Sequence, residues 1–190
     1  MIQSHAKGQG ANFDRTWNEY KAGFGTIEEN NFWIGLEKMH TLTHSGIYGV
    51  RIDLKLNDGT EKTAEFESFA VMDIYDNYRL YISGFKSTSG VIDRFSYHNN
   101  KQFSTKDYDN DSDPDDNCAV NYGNTGWWFG ECFNVHLNQI DGPTWSAPDP
   151  TTTQWTRELK STMTLIKSQS KVIFFTINSN FFDVNYPFHI

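Results

Sequence analysis

One segment limits what this polypeptide can fold into more than any other. Residues 97–137, YHNNKQFSTKDYDNDSDPDDNCAVNYGNTGWWFGECFNVHL, hold Asp107, Asp109, Asp111, Asp113, Asp115 and Asp116, both cysteines and the Trp127-Trp128 pair. A run so rich in Asn, Asp and Gly sustains neither a helix nor a core strand, so something other than a backbone ladder must hold it. Two staples are visible. One is a bridge between Cys118 and Cys132; the other is a hard cation held by the aspartates. In the chain-entropy description, closing a loop of this size stabilises by roughly 3 kcal/mol. Two unconnected, reduced thiols are the alternative. A bridge would place the protein in an oxidising compartment.

With 190 residues the protein is expected to form one sizeable domain with a substantial core. Aromatic residues are 16% of the total, which points to a core filled by Trp, Tyr and Phe between long loops. The formal charge of −8 argues against a general nucleic-acid binder or a ligand of anionic membranes. No run is long and apolar enough for membrane insertion. Met1 is followed by IQSHAKGQG, which lacks the apolar region of a secretory leader. The expectation is therefore a leader already removed or a shortened start.

Residues 1–11 are polar and read as a frayed lead-in. Residues 14–20 suit a short helix, with Asn12 or Asp14 as cap, Trp17 and Tyr20 on one face, and Gly23 and Gly25 beyond its end. A second helix is expected over 36–42, closed by residues 43–46. From residue 47 the period changes to two. Strands are expected over 48–56, 63–69 and 78–85, with Asn57-Asp58-Gly59 as a hairpin turn. STMTLIKS (161–168) reads as a last strand returning to the sheet. VIFFTI (172–177) is strongly β-prone, and either an extra strand or a tail outside the fold fits it. Helices first, an antiparallel meander after, and a long loop region indicate an α+β domain.

Asp-x-Asp-x-Asp spacing in an irregular loop can turn several carboxylates toward one point, although a solvated acidic loop reads the same way. The EF-hand pattern is absent, with no Gly at the sixth loop position and no Glu at the twelfth. The six histidines are scattered. His40 and His44 are four apart, but His44 falls where the second helix is expected to stop, so the pair is not read as a zinc site. No catalytic Ser/His/Asp set, G-x-S-x-G or glycine-rich phosphate loop is present, and the protein is not read as an enzyme.

Taken together, FDRTWNEYKAGFG (13–25), NFWIGLEKMHTLT (31–43), YRLYISGF (78–85), YHNNKQFSTKDYDND (97–111), NCA (117–119) and GWWFGEC (126–132) resemble the fibrinogen C-terminal domain. This is the fibrinogen-related domain of ficolins, tachylectin-5-like lectins, angiopoietins and tenascins. The resemblance implies a twisted antiparallel sheet with short helices and a long irregular calcium and ligand loop, over residues 1–167. The family's N-terminal subdomain would lie mostly before Met1, and residues 168–190 would be a C-terminal extension.

The resemblance also implies a structural Ca2+. Asp109 and Asp111 would supply carboxylates, and backbone carbonyls near Asp113 and Asp115 or Asp116 would complete the set. The run from Asp111 to Cys118 is one residue longer than the family spacing and contains Pro114. The sequon Asn110-Asp111-Ser112 is expected to stay unglycosylated, because a glycan would clash with a metal loop.

The family's acetyl-binding pocket would lie beside this loop. A cis bond between Glu131 and Cys132 would aim backbone N–H groups at the ligand. Tyr122 would be a wall, with Trp127 and Trp128 behind. Phe133 stands where acetyl-binding members often have His, the downstream segment reads VHLNQ, and the stretch before Trp155 is APDPTTTQ. The implied function is a secreted, calcium-dependent, lectin-like recognition domain of innate immunity for carbohydrate or acetylated ligands. The alternative is a protein-binding module for a receptor or a matrix protein. The full-length protein is expected to be oligomeric.

Overall fold

The computed structural model describes residues 1–8, 12–145, 156–157 and 159–168. The N-terminal residues depart from the expected frayed lead-in. Gln3–Ala6 is a fully buried strand, β1. Its polar side chains find distant partners, although Gln3 Oε1 is buried without one among the described residues. Gln3 Nε2 donates to Leu137 O at 3.2 Å, Asn138 Oδ1 at 3.3 Å and Ser161 Oγ at 3.2 Å. Ser4 Oγ donates to Asn30 O at 2.6 Å.

The first helix, α1, is Trp17–Ala22. It starts where the Glu19 carboxylate reaches back to Thr16 N at 2.8 Å, one half of a capping box. Asp107 from the acidic segment accepts from Trp17 N at 2.9 Å, a cap supplied from 90 residues away. The helix ends at Gly23, whose φ of 97° excludes most side chains. A Cβ there would also meet Ile34 O at 2.4 Å.

Two short strands follow, β2 (Phe24–Thr26) and β3 (Asn31–Trp33). Helix α2 is Leu36–His44 and buries Leu36, Met39 and Thr43 along one face. It runs two residues past its expected end, because Ser45 rather than Thr43 terminates it; Ser45 N bonds Leu42 O at 3.1 Å. β4 is Tyr48–Lys55, β5 Glu61–Val71 and β6 Leu80–Lys86. In β4 the burial alternates from Val50 onward, matching the period read from sequence. After the acidic region come a one-turn helix α3 (Cys118–Asn121) and the two-residue strands β7 (Val135–His136), β8 (Thr144–Trp145) and β9 (Thr156–Arg157). β10, Lys160–Lys167, is the expected returning strand.

The main sheet has seven strands in the order β2-β3-β1-β10-β4-β5-β6, all antiparallel. β10 lies between β1 and β4. A second sheet is β7-β8-β9. The short helices, the antiparallel sheet and the long irregular segment make the α+β architecture that the pattern indicated. Of the expected 168–190 extension only Ser168 is described, so VIFFTI lies outside the described residues, as do Trp155 and APDPTTTQ.

The core joining the sheet to the acidic segment is aromatic. Trp33, Phe103 and Trp128 pack with centroids 5.2 to 5.9 Å apart. Both indole N–H groups of this trio find a carbonyl: Trp33 Nε1 reaches Tyr20 O at 3.0 Å and Trp128 Nε1 reaches Tyr78 O at 2.8 Å. Trp127 and Trp128 are both fully buried, so the tryptophan pair belongs to the core.

Candidate functional site

The acidic segment is wired to the core before it reaches solvent. Asn110 is its anchor. Its backbone N–H bonds Ser104 Oγ at 2.8 Å, its side-chain nitrogen donates to Phe103 O at 2.8 Å, and its side-chain oxygen accepts from Asn77 Nδ2 at 3.0 Å. The amide nitrogen that a glycan would need is therefore engaged, in keeping with an unused sequon. Around Asn110 three aspartates turn the backbone by accepting the N–H two residues on: Asp109 from Asp111, Asp111 from Asp113, and Asp113 from Asp115. Asp111 does more. Its second oxygen accepts Cys118 N at 2.9 Å, tying the loop to α3.

Cys118 and Cys132 form a disulfide with Cα atoms 5.2 Å apart, so the reduced alternative is set aside. Ser112 N donates to Gly130 O at 3.0 Å, and Lys101 Nζ donates to Ser112 Oγ at 3.0 Å. The loop and the 130–133 turn are thereby joined into one body. Glu131 is exposed at the tip of that turn, and its backbone hydrogen-bonds the Tyr97 hydroxyl. Burial raises the Tyr97 phenol above its ordinary value.

The expected cis bond is not found: all described peptide bonds are trans, and the backbone reverses instead at Cys132, with φ 62°. Gly130 N donates to Cys132 O at 2.9 Å to close the reversal.

Of the four expected metal residues, Asp109 and Asp111 are neighbours: Asp109 Oδ1 accepts from Asp111 N at 3.1 Å, and the Asp109 charge acts on the Asp111 carboxyl. Asp111 is half-buried. Burial raises its carboxyl above the ordinary carboxylate range; the Cys118 and Asp113 N–H groups pull it down, and neighbouring Asp109 pushes it up again. Two adjoining carboxylates with a burial penalty favour a bound cation. The donors are all oxygen, which suits Ca2+. Asp113 lies elsewhere, its carboxylate within 4.8 Å of the Cys118 and Cys132 sulfurs. Those sulfurs are used in the disulfide, so that trio is no metal site. Asp116 is exposed. Neither Asp113 nor Asp116 adds a carboxylate to the pair in a three-acid cluster among the described residues. This leaves their backbone carbonyls as the donors to consider.

Tyr122 and Phe133 pack edge to face with centroids 4.8 Å apart. Phe133 is 5% exposed and also contacts Phe129 and His136. Trp127 is buried and reaches this group through His136, with ring centroids 5.8 Å apart. His98 is buried and hydrogen-bonded at both ring nitrogens. Its Nδ1 donates to Trp128 O at 2.7 Å and its Nε2 accepts from Val135 N at 3.1 Å. Nothing local in the sequence marks out Ser112, Lys101 or Asp107. Only the positions of Gly130 and Trp17, far along the backbone, give them roles.

A family model described as the C-terminal globular domain of fibrinogen beta and gamma chains matches residues 1–171. Human (Homo sapiens) fibroleukin is 40% identical over 141 residues, 73% of this chain and 31% of that protein. Rat (Rattus norvegicus) tenascin-R is 40% identical over 139 residues, 73% of this chain and 10% of that protein. The matched region thus spans less than a third of these relatives. Among solved structures, the fibrinogen-like globe domain of human ANGPTL2 superposes with a TM-score of 0.74 at 30% identity, covering 88% of this chain and 79% of that one. Lamprey fibrin D-dimer, complexed with the peptide Gly-His-Arg-Pro-amide, gives 0.75 at 29% identity, covering 88% and 61%.

Proposed function

Because this protein belongs to the family of C-terminal globular domains found in the fibrinogen beta and gamma chains, we propose that it is an extracellular, non-enzymatic recognition domain that binds a protein ligand. The relatives are fibroleukin, tenascin-R and angiopoietin-like globes, and one solved relative is a complex with a peptide. The disulfide supports secretion into an oxidising compartment. Among the described residues no helix is long and apolar enough to cross a membrane.

One observation carries the reading. The acidic loop and the Glu131–Cys132 turn are fused by the disulfide, by Asp111 to Cys118 N and by Ser112 N to Gly130 O. Such a surface is organised before a partner arrives, which lowers the ordering cost of binding. Ca2+ would supply charge compensation for Asp109 and Asp111, with Asp113 and Asp116 contributing backbone carbonyls. Glu131 and the edge of Tyr122 would meet the partner.

A lectin reading has less behind it. An acetyl oxygen needs a donor, and Phe133 has none where His would supply one. Losing such a bond costs about 1 kcal/mol or more. The Tyr122–Phe133 stack also brings the two rings of the expected wall together.

The test is binding of the full-length polypeptide to Gly-His-Arg-Pro-amide, to a panel of extracellular proteins and to immobilised N-acetylglucosamine, each with and without EDTA. Protein or peptide binding that weakens in EDTA, with no sugar retention, is expected. Retention on the sugar resin, eluted by EDTA and by free N-acetylglucosamine, would replace the protein reading with the lectin one.

A further inference from the structure

The histidines set aside on helical spacing come together once α2 is seen to run through His44. His40 and His44 stand one turn apart on the same helix face. Their ring centroids are 4.2 Å apart with planes at 44°. His40 Nδ1 lies 2.9 Å from Val71 O, and His44 Nδ1 lies 3.0 Å from His40 O. A carbonyl oxygen only accepts, so in each neutral ring Nδ1 carries the proton and Nε2 keeps its lone pair. Neither Nε2 has a hydrogen-bond partner among the described residues.

This is the arrangement that orients metal-binding imidazoles: one ring nitrogen donates to a carbonyl and the other is left to ligate. His44 is exposed and His40 half-buried, so water and ions reach the pair. It sits on the last turn of α2, where the helix dipole favours positive charge. Two nitrogens around a tetrahedral ion are separated by about 3.4 Å, compatible with rings this close.

We infer that His40 and His44 form a two-imidazole site for a divalent first-row transition ion, Cu2+ or Zn2+, whose remaining ligands are water. Nitrogen donors select against Ca2+, as the oxygen-only acidic loop selects for it. The domain would then sort two classes of cation between its acidic loop and the end of α2.

The test uses the full-length polypeptide with calcium in excess, so that the acidic loop is filled. Zn2+ is titrated calorimetrically, and one equivalent of Cu2+ is added for electron paramagnetic resonance. Wild type should bind one ion, with hyperfine structure from two nitrogens. His44→Gln and His40→Gln should each weaken uptake at least about tenfold, with metal-free circular dichroism unchanged. His44 is exposed, so its variant decides the matter should His40→Gln fold poorly. No uptake by wild type, or His44→Gln binding as tightly as wild type, overturns the site.

Discussion

Acidification should destabilise this protein well before its carboxylates are exhausted. Three histidines are buried around Trp127 and the segment that follows it. His5 donates to Leu137 O, His98 bridges Trp128 O and Val135 N, and His136 pairs with Thr125 Oγ1 at 3.0 Å. Burial lowers His5 from 6.5 to about 4 and His98 from 6.5 to about 4, with Lys101 adding to the latter. Burial lowers His136 well below 6.5, reinforced by His98 and His5. A histidine held neutral in the fold binds fewer protons than it does unfolded. Its contribution is therefore present above 6.5 and is lost as pH falls from 6.5 towards 4.

Over the whole interval the loss is about 3 kcal/mol per residue for His5 and for His98. Between pH 7 and pH 5 it is about 2 kcal/mol each, so about 4 kcal/mol for the two. At about 2–4 °C per kcal/mol for a domain of this size, Tm should fall by roughly 8–16 °C. Other groups do not mimic this. Glu19, lowered to about 2 chiefly by the Thr16 backbone bond, titrates below the window. Asp111, raised, would act in the opposite direction. The assay is calorimetric Tm at pH 7, 6 and 5 in calcium, with the imidazole resonances followed by NMR. A Tm change below about 2 °C, or His5 and His98 titrating near 6.5, would refute the reasoning.

Replacing Cys118 and Cys132 together by Ser removes a link across 14 residues. It should cost about 3 kcal/mol, read as a fall in the urea midpoint. Asp109→Ala and Asp111→Ala should each lower Tm in calcium and abolish its sensitivity to EDTA; a wild-type Tm that ignores EDTA would show that calcium is not bound. Asp107→Ala removes the cap on Trp17 N and should cost about 1 kcal/mol in chemical denaturation, with calcium affinity unchanged. Gly49→Ala drives a Cβ to within 2.3 Å of Phe66 O between β4 and β5, and a loss of at least about 2 kcal/mol is expected by the same measurement.

Where local pattern decides structure, the sequence is a good guide. The alternation of residues 48–55, the Asn57-Asp58-Gly59 turn and the returning strand 160–167 are legible, because half-buried strands write their period into the chain. The cysteine partners are legible because both lie inside one segment, whereas the choice of Asp109 and Asp111 among six acids comes from the family resemblance. β1 is not. Gln3, Ser4 and His5 look like solvated residues, and their burial depends on partners at Asn30, Leu137, Asn138 and Ser161 that no local window contains. The extent of α2 is hidden because Thr43 resembles a terminator. Buried in the helix, its hydroxyl donates to His40 O and accepts from Val71 N. Asp107 reads as one acid among six, though it starts a helix 90 residues upstream.

The place of β10 in the sheet has a consequence for biosynthesis. Lys160–Lys167 is the last described strand to leave the ribosome, yet it separates β1 from β4. Until it arrives, the nascent polypeptide holds two half-sheets, each with an unpaired margin available to any passing protein. Joining of the two half-sheets thus waits for the last described strand. Arrest of translation before Lys160 should yield insoluble rather than partly folded product.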